Sequence, residues 1–290
     1  MTNTVLVTGA TGNVGAAVLE GLVAAGQPAR AAARYPARIA TGPGVEPVRL
    51  DFEDHGTFGA ALEGVRGVFL MRPPQLADME TTLVPFLRAC KTSAVQHISF
   101  LSLIGVERNR RVPHHAVERA LAECDLPYTS LRAGYFMQNL TGFLAEDIRQ
   151  HDRIYVPAGR GRTSFVDAGD IAQIASMTLC DPHRHAGQAY NLTGAEALNY
   201  RQVARILSDV VGRPIHYARP SHRAFRREML RRGIEPEFVQ VLIMLFWPVK
   251  LGMAARVYPD MARLLGRAPT RIEQFIERHR GHWTRAVGEC

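Results

Sequence analysis

An apolar segment at Thr4–Val7 runs into three glycines at three-residue spacing, Gly9, Gly12 and Gly15, and a helical pattern follows them. A strand that leads through a glycine-rich turn into a helix is the sequence context of a dinucleotide-binding loop. Glycines let the backbone approach a pyrophosphate, and the helix N-terminus adds unpaired N–H groups and positive dipole. A tight turn that binds nothing is the alternative. The motif predicts a phosphate-binding turn of Gly9, Thr11, Gly12, Asn13, Val14 and Gly15.

The second strand-like segment, Pro28–Ala33, is followed by an arginine rather than an acid. A chain that prefers NAD usually places Asp or Glu about 20 residues beyond the glycines, where the carboxylate binds the ribose 2′-hydroxyl. No acidic residue occurs between Glu20 and Glu46, and Arg34 stands in that place. A guanidinium suits a 2′-phosphate through paired, charge-assisted hydrogen bonds. The sequence therefore predicts NADP(H) in preference to NAD(H), with a solvated surface arginine as the alternative.

Strand-like and helical patterns alternate through the first half of the chain, which predicts an α/β fold with a Rossmann-type, doubly wound parallel sheet. After Arg132 this alternation is lost, and the proline- and glycine-containing segment Val156–Arg162 is the candidate boundary. We expect a dinucleotide-binding domain over residues 1–155, with returning contributions from about 163–192. A smaller, mainly helical substrate lobe is expected over residues 156–290. The predicted strands are Pro28–Ala33, Val45–Leu50, Gly67–Met71, Val95–Leu101, Pro127–Leu131 and Ala189–Leu192. Helices are predicted at His55–Leu62, Leu76–Ala89 and His114–Cys124, and the segment 135–150 is also expected to be helical.

The net charge of +8 comes almost entirely from scattered arginines, because the chain has only two lysines. This distribution is not typical of a nucleic-acid surface, so no nucleic-acid partner is expected. The longest apolar run, Val241–Val249, is far shorter than the ~20 residues that span a bilayer, so no membrane partner is expected either. The four cysteines lack metal-ligand spacing and are typical of reduced thiols in a cytoplasmic protein, without a metal.

Apolar side chains in the last third of the chain have three open interpretations: a roomy substrate pocket, part of the core, or a homodimer surface. Their spacing does not separate these alternatives. They are Met229, Phe238, Met244, Phe246, Trp247 and Met253.

Further motifs extend the argument beyond the glycine turn. They are Asp51-Phe52, Phe100-Leu-Ser102, His114-His-Ala-Val-Glu118, the segment Tyr128–Asn139 and the segment Phe165–Asp170. Together with the glycine motif they resemble the NmrA-like branch of the atypical short-chain dehydrogenases/reductases over most of the chain. The glycine motif is shared widely, whereas Leu131–Asn139 is much more specific to this branch.

The resemblance implies positions for several residues along a bound cofactor. Asp51 and Phe52 would lie near the adenine. Residues from two later segments would lie along the cofactor towards the nicotinamide: Met71, Arg72, Pro73, Tyr135 and Phe136.

Standard members of the wider superfamily use a Tyr and a Lys four residues apart, and this chain has no such pair. The equivalent helix carries His114 and Glu118 on one face, and Ser102 matches the usual serine position. Glu118 would favour the imidazolium of His114 and make it a general acid. Alternatively, Pro113 opens the helix, His114 or His115 lies in its first turn, and Glu118 makes a structural bond. The predicted catalytic residues are His114, Glu118 and Ser102.

The leading hypothesis is an NADP(H)-dependent reductase that transfers hydride to an apolar quinone-like, aromatic or enone small molecule. Such acceptors need little acid catalysis, so the missing Tyr/Lys pair does not exclude reduction. The alternative is a non-catalytic NADP(H)-binding redox sensor that regulates a protein partner. A nucleotide-sugar epimerase or dehydratase ranks lower, because those enzymes usually rely on the missing pair.

Overall fold

The computed structural model describes residues 4–39 and 42–284 of the chain. Its strands are β1 (Thr4–Val7), β2 (Ala29–Ala33), β3 (Val45–Arg49), β4 (Val65–Met71), β5 (His97–Leu103), β6 (Tyr128–Ala133), β7 (Tyr135–Phe136), β8 (Arg153–Ile154), β9 (Arg162–Val166), β10 (Ala189–Leu192), β11 (Ala197–Asn199) and β12 (His216–Tyr217). Its helices are α1 (Asn13–Ala24), α2 (Phe58–Leu62), α3 (Leu83–Thr92), α4 (Pro113–Glu123), α5 (Ala145–His151), α6 (Ala168–Cys180), α7 (Pro182–His185), α8 (Tyr200–Val211), α9 (His222–Arg231), α10 (Pro236–Lys250), α11 (Asp260–Leu265) and α12 (Ile272–Arg278).

Seven strands form one parallel sheet in the order β10-β6-β5-β4-β1-β2-β3. The strand order reverses between β1 and β4, and crevices that bind ligands open at such a switch point, beyond the carboxyl ends of the strands. This confirms the predicted Rossmann-type, doubly wound fold. The predicted strands are confirmed to within about two residues, including the late strand β10, which returns to pair with β6.

Helices cover both faces of this sheet. On one face α1 packs against α6, and a Cβ added at Gly21 would lie 2.7 Å from the Ser176 hydroxyl, so these helices approach closely. On the other face α2, α3 and α4 enclose a core in which the Phe86 ring meets Phe52 and Phe58 edge-on, at centroid distances of 5.2 and 5.3 Å.

Two predicted helical segments are shorter than expected. The pattern predicted from Leu76 becomes helical only at Leu83, because the Asp78 carboxylate accepts hydrogen bonds from the N–H groups of Glu80 and Thr81. Such local side-chain bonds compete with a helix. The segment 135–150 was expected to be helical, but it begins with the strand β7, whose backbone pairs with β9, and becomes α-helical only in α5.

The chain divides into two compact units. The first runs to Ala133 and includes Ala168–Leu192 and Arg263–Gly266. It contains the seven-stranded sheet. The partition at residue 155 into a dinucleotide-binding domain and a substrate lobe stays a prediction.

The second unit comprises residues 134–167, 193–262 and, among the described residues, 267–284. Its sheets have the orders β11-β9-β7 and β12-β8. Helices α5, α8, α10 and α12 contribute to its core, where Trp283 is fully buried and its indole N–H donates to the Leu140 carbonyl oxygen at 2.9 Å.

The apolar residues singled out in the last third of the chain divide between core and surface. Met229 and Phe246 are buried, whereas the other four are exposed: Phe238, Met244, Trp247 and Met253. Helix α10 continues through Pro248 and ends at Lys250. Among the described residues, no helix is long and apolar enough to cross a membrane.

Candidate functional site

The glycine turn joins β1 to α1, and two of its glycines have no substitute. Gly9 has a φ of +64°, a conformation that favours glycine, and a Cβ there would lie 2.1 Å from the Met71 methyl carbon. A Cβ at Gly15 would lie 2.2 Å from the Gly9 carbonyl oxygen. The Gly12 N–H donates to that same oxygen at 2.9 Å. The turn therefore needs glycine at position 9 for its backbone conformation and at position 15 for the close approach of its own backbone.

The N-terminus of α1 carries no negative charge of its own. Gly12 occupies the N-cap position and offers no side chain, and the first turn contains no acidic residue. The backbone N–H groups at the start of a helix have no partner within it, and the helix dipole makes this end electropositive. Residues Asn13, Val14 and Gly15 form this first turn. The arrangement suits an anion such as a pyrophosphate.

Thr8, which was not among the predicted site residues, ties this turn to the neighbouring strand β4. Its hydroxyl donates to the Phe69 carbonyl oxygen at 3.1 Å and accepts the Met71 N–H at 2.8 Å. The carboxyl ends of β1 and β4 are thereby fixed together at the switch point of the sheet. The position of Thr8 directly before Gly9 is the sequence signal that could have marked it as a site residue. Its partners Phe69 and Met71 could not be predicted, because they lie more than sixty residues away in sequence.

Arg34 follows β2 and is held by two carboxylates from the segment after β3. Its Nε lies 3.4 Å from Asp51 Oδ2, and its Nη2 donates to Glu53 Oε2 at 3.1 Å. About half of the Arg34 side chain is exposed. Glu53 was not predicted as a site residue. Phe52, between the two acids, turns its ring into the core against Phe86.

A second polar group lies at the carboxyl ends of β4 and β5. Arg72 follows β4, and its Nη1 donates to the carbonyl oxygens of Pro73, Pro74 and Leu76 at 3.0, 3.2 and 2.5 Å. Within the part of the chain that the structure describes, three buried polar atoms near these strand ends have no hydrogen-bond partner. They are Arg72 Nε, Ser102 Oγ and His114 Nδ1.

These three residues converge on one side of the sheet. Ser102 lies two residues after Phe100 and so on the same face of β5, and the Phe100 ring lies 6.0 Å from the His114 ring. The positive charge of Arg72 also lowers the pKa of His114. Buried polar groups are normally paired, so unpaired ones mark a place where a ligand or water is expected to bind.

His114 is neutral near pH 7. Burial and the Arg72 guanidinium lower its pKa to about 4, and the opposing influence of Glu118 is weaker than either. The expectation that Glu118 keeps His114 as an imidazolium is therefore wrong. The physical reason is that desolvation disfavours the charged form of a buried imidazole.

Glu118 is engaged elsewhere. Its two carboxylate oxygens accept hydrogen bonds from Arg132 Nε and Nη2 at 3.1 and 2.6 Å. Arg132 also lies 3.3 Å from Glu107. The structure therefore brings Glu118 to Arg132 in a bidentate pair. His115 has a structural contact, since its Nδ1 lies 3.1 Å from the Val106 carbonyl oxygen.

Tyr135 and Phe136 form β7 in the second unit. The Tyr135 hydroxyl donates to the Leu245 carbonyl oxygen at 2.5 Å, and burial raises the pKa of this phenol. The phenol is thus a bound donor rather than a proton source near neutral pH.

The glycine turn, the basic residue after β2 and the polar group after β4 and β5 all lie at the same edge of one sheet. A model of the NmrA-like family matches residues 1–247. The chain belongs to the NmrA-like family. The resemblance seen in the sequence is confirmed.

Two curated relatives of this NmrA-like protein match over nearly their whole length. The NAD(P)H azoreductase of Xenophilus azovorans is 30% identical over 285 residues, covering 95% of this chain and 97% of that protein. The (4-alkanoyl-5-oxo-2,5-dihydrofuran-3-yl)methyl phosphate reductase of Streptomyces griseus is 31% identical over 284 residues, again covering 95% and 97%.

A solved structure of the NADPH-dependent quinone oxidoreductase of Escherichia coli, in complex with NADPH, has a TM-score of 0.85 to this chain. The two sequences are 23% identical, with 95% of this chain and 99% of that chain covered. This likeness shows that the fold is shared.

Proposed function

We propose that this protein is an NADP(H)-dependent reductase that delivers hydride to an apolar quinone-like, aromatic or enone small molecule. The observation that carries the proposal is the closed glycine turn at the switch point of the sheet. Gly9 has a left-handed backbone conformation, a Cβ at Gly15 would collide with the backbone of the turn, and the helix that follows carries no acid in its first turn. A pyrophosphate fits such a cradle.

The chain's own residues would hold the cofactor at three places. The first turn of α1 would bind the pyrophosphate, Arg34 would bind the 2′-phosphate, and Asp51 would lie beside the adenosine. The nicotinamide, when bound, supplies the hydride. The names of the azoreductase, the furanyl phosphate reductase and the quinone oxidoreductase support reduction of a small molecule with a nicotinamide cofactor.

The polar group formed by Arg72, Ser102 and His114 supports the choice of acceptor. A neutral imidazole and a hydroxyl can donate hydrogen bonds to an oxygen that gains negative charge, and the guanidinium adds positive charge. At neutral pH none of them is a strong acid. This suits a quinone or an enone, whose reduced oxyanion is delocalised, better than a simple ketone, whose alkoxide needs a proton at once.

The test combines turnover with binding. Purified protein is mixed with NADPH and a panel of quinones, azo dyes, enones and simple ketones, and oxidation of the cofactor is followed by its near-ultraviolet absorbance. We expect turnover with one or more of the first three classes and none with simple ketones. Tight NADPH binding without turnover across the panel would instead support the redox sensor, for which the missing Tyr/Lys pair is the favouring observation.

A further inference from the structure

The edge of the Arg34 guanidinium formed by Nε and Nη2 is already paired with two carboxylates. Its Nη2 donates to Glu53 Oε2 at 3.1 Å, and its Nε lies 3.4 Å from Asp51 Oδ2. The pairing of β2 with β3 brings these groups together, because the Leu50 N–H donates to the Ala33 carbonyl oxygen at 3.0 Å. The arrangement therefore follows from the register of the sheet.

The two carboxylates differ in burial and in their hydrogen bonds. Asp51 is mostly buried; its Oδ1 accepts the Glu53 N–H at 3.1 Å, and its own N–H donates to the Thr57 hydroxyl at 3.1 Å. The Glu53 side chain is 58% exposed, and within the described residues it pairs with Arg34 alone. Asp51 thus orients the guanidinium, whereas Glu53 can leave it.

We propose that Glu53 sets cofactor specificity by competing with the 2′-phosphate for Arg34. This inference rests on the proposed function. A cofactor with a 2′-phosphate must displace Glu53 and then tolerate a nearby carboxylate, because like charges repel. A cofactor with a 2′-hydroxyl leaves the ion pair intact. Glu53 therefore narrows the preference for NADPH over NADH that Arg34 creates.

The expected size follows from the exposure of the pair. An exposed ion pair stabilises a protein by at most about 1 kcal/mol. Displacing Glu53 from Arg34 would therefore weaken NADPH binding by up to about fivefold. The 2′-phosphate itself carries a charge of about −2, so Glu53 also repels it directly. We expect E53Q to raise the ratio of NADH to NADPH dissociation constants by about three- to tenfold, and less at high salt because the charges are exposed.

The experiment measures binding rather than turnover, so it is informative for a reductase and for a sensor alike. Dissociation constants for NADPH and NADH are determined by cofactor fluorescence for the wild type, E53Q, R34Q and the double variant. The matched control is E46Q, which neutralises a carboxylate paired with Arg30 at 2.9 Å on the same two strands but at their opposite ends.

Competition predicts that E53Q raises the ratio of the NADH to the NADPH dissociation constant and that E46Q does not. It also predicts a clearly smaller effect of E53Q when Arg34 is already replaced, because only the direct repulsion between Glu53 and the phosphate then remains. A ratio unchanged by E53Q, with a ratio lowered by R34Q, overturns this inference and leaves the proposed cofactor contact standing. An equal effect of E53Q with and without Arg34 overturns the competition, because Glu53 then acts on the phosphate directly. A ratio unchanged by R34Q would mean that Arg34 does not bind the 2′-phosphate. That result overturns both the competition by Glu53 and the proposed contact of Arg34 with the cofactor.

Discussion

Replacing Gly15 by alanine is the most direct perturbation of the phosphate cradle. The new methyl carbon would lie 2.2 Å from the Gly9 carbonyl oxygen, 2.6 Å from its carbonyl carbon and 3.0 Å from the Ala10 nitrogen. All three atoms belong to the backbone of the turn, so relief requires the turn to move by about 1 Å. Overpacking of this kind costs about 1–3 kcal/mol. The first-turn N–H groups of α1 would then no longer point at a common phosphate.

We expect G15A to lower the Tm by about 2–10 °C and to weaken NADPH binding by about tenfold or more, which corresponds to about 1.4 kcal/mol. Calorimetry and a fluorescence titration measure the two effects. The matched control is G59A in α2, where a Cβ meets nothing within 4 Å. It should keep the affinity and slightly raise the Tm, since alanine favours a helix over glycine. Wild-type NADPH affinity in a folded G15A protein would refute the cradle.

Three further predictions concern the charged groups. Burial lowers the pKa values of His97 and His114 to about 4 from an ordinary 6.5, so the unfolded chain binds more protons between these values. Stability should therefore fall as the pH decreases from about 6.5 to about 4, and denaturant titrations of H97N and H114N should show a smaller fall; an unchanged slope in both variants would contradict the burial of these rings. E118Q should lower the free energy of unfolding by about 1–3 kcal/mol, because it weakens the partly buried ion pair with Arg132. It should leave the pH profile of turnover unchanged. A shifted profile at wild-type stability would instead show that Glu118 acts on His114. R34E should weaken binding of NADPH much more than binding of NADH, and equal losses would place Arg34 away from the 2′-phosphate.

Much of the sheet could be predicted because its signals are local. Each central strand is a short apolar run between turn residues, and strict alternation with helices favours parallel pairing. The helix predicted from Leu76 and the one predicted over 135–150 were overextended for different reasons. In the first, the Asp78 side chain captures backbone N–H groups. In the second, β7 pairs with β9, a partner that lies later in the chain.

The sequence by itself determined the glycine turn. Its three glycines, the strand before them and the helix after them all lie between Thr4 and Ala24, and the positive φ of Gly9 is a local property of the backbone. The sequence also determined that Arg34, and no acid, follows the second strand. These inferences needed only residue types and short spacing.

Only the tertiary structure decided which partner each charged group has. The spacing of His114 and Glu118 shows that they share a helix face, but Arg132 on a neighbouring strand takes the carboxylate. The low pKa of His114 depends on how much water the fold removes from the ring, and Glu53 reaches Arg34 through the register of β2 and β3. Helical spacing fixes distances along one element, whereas electrostatic strength depends on groups brought together from distant segments and on their burial.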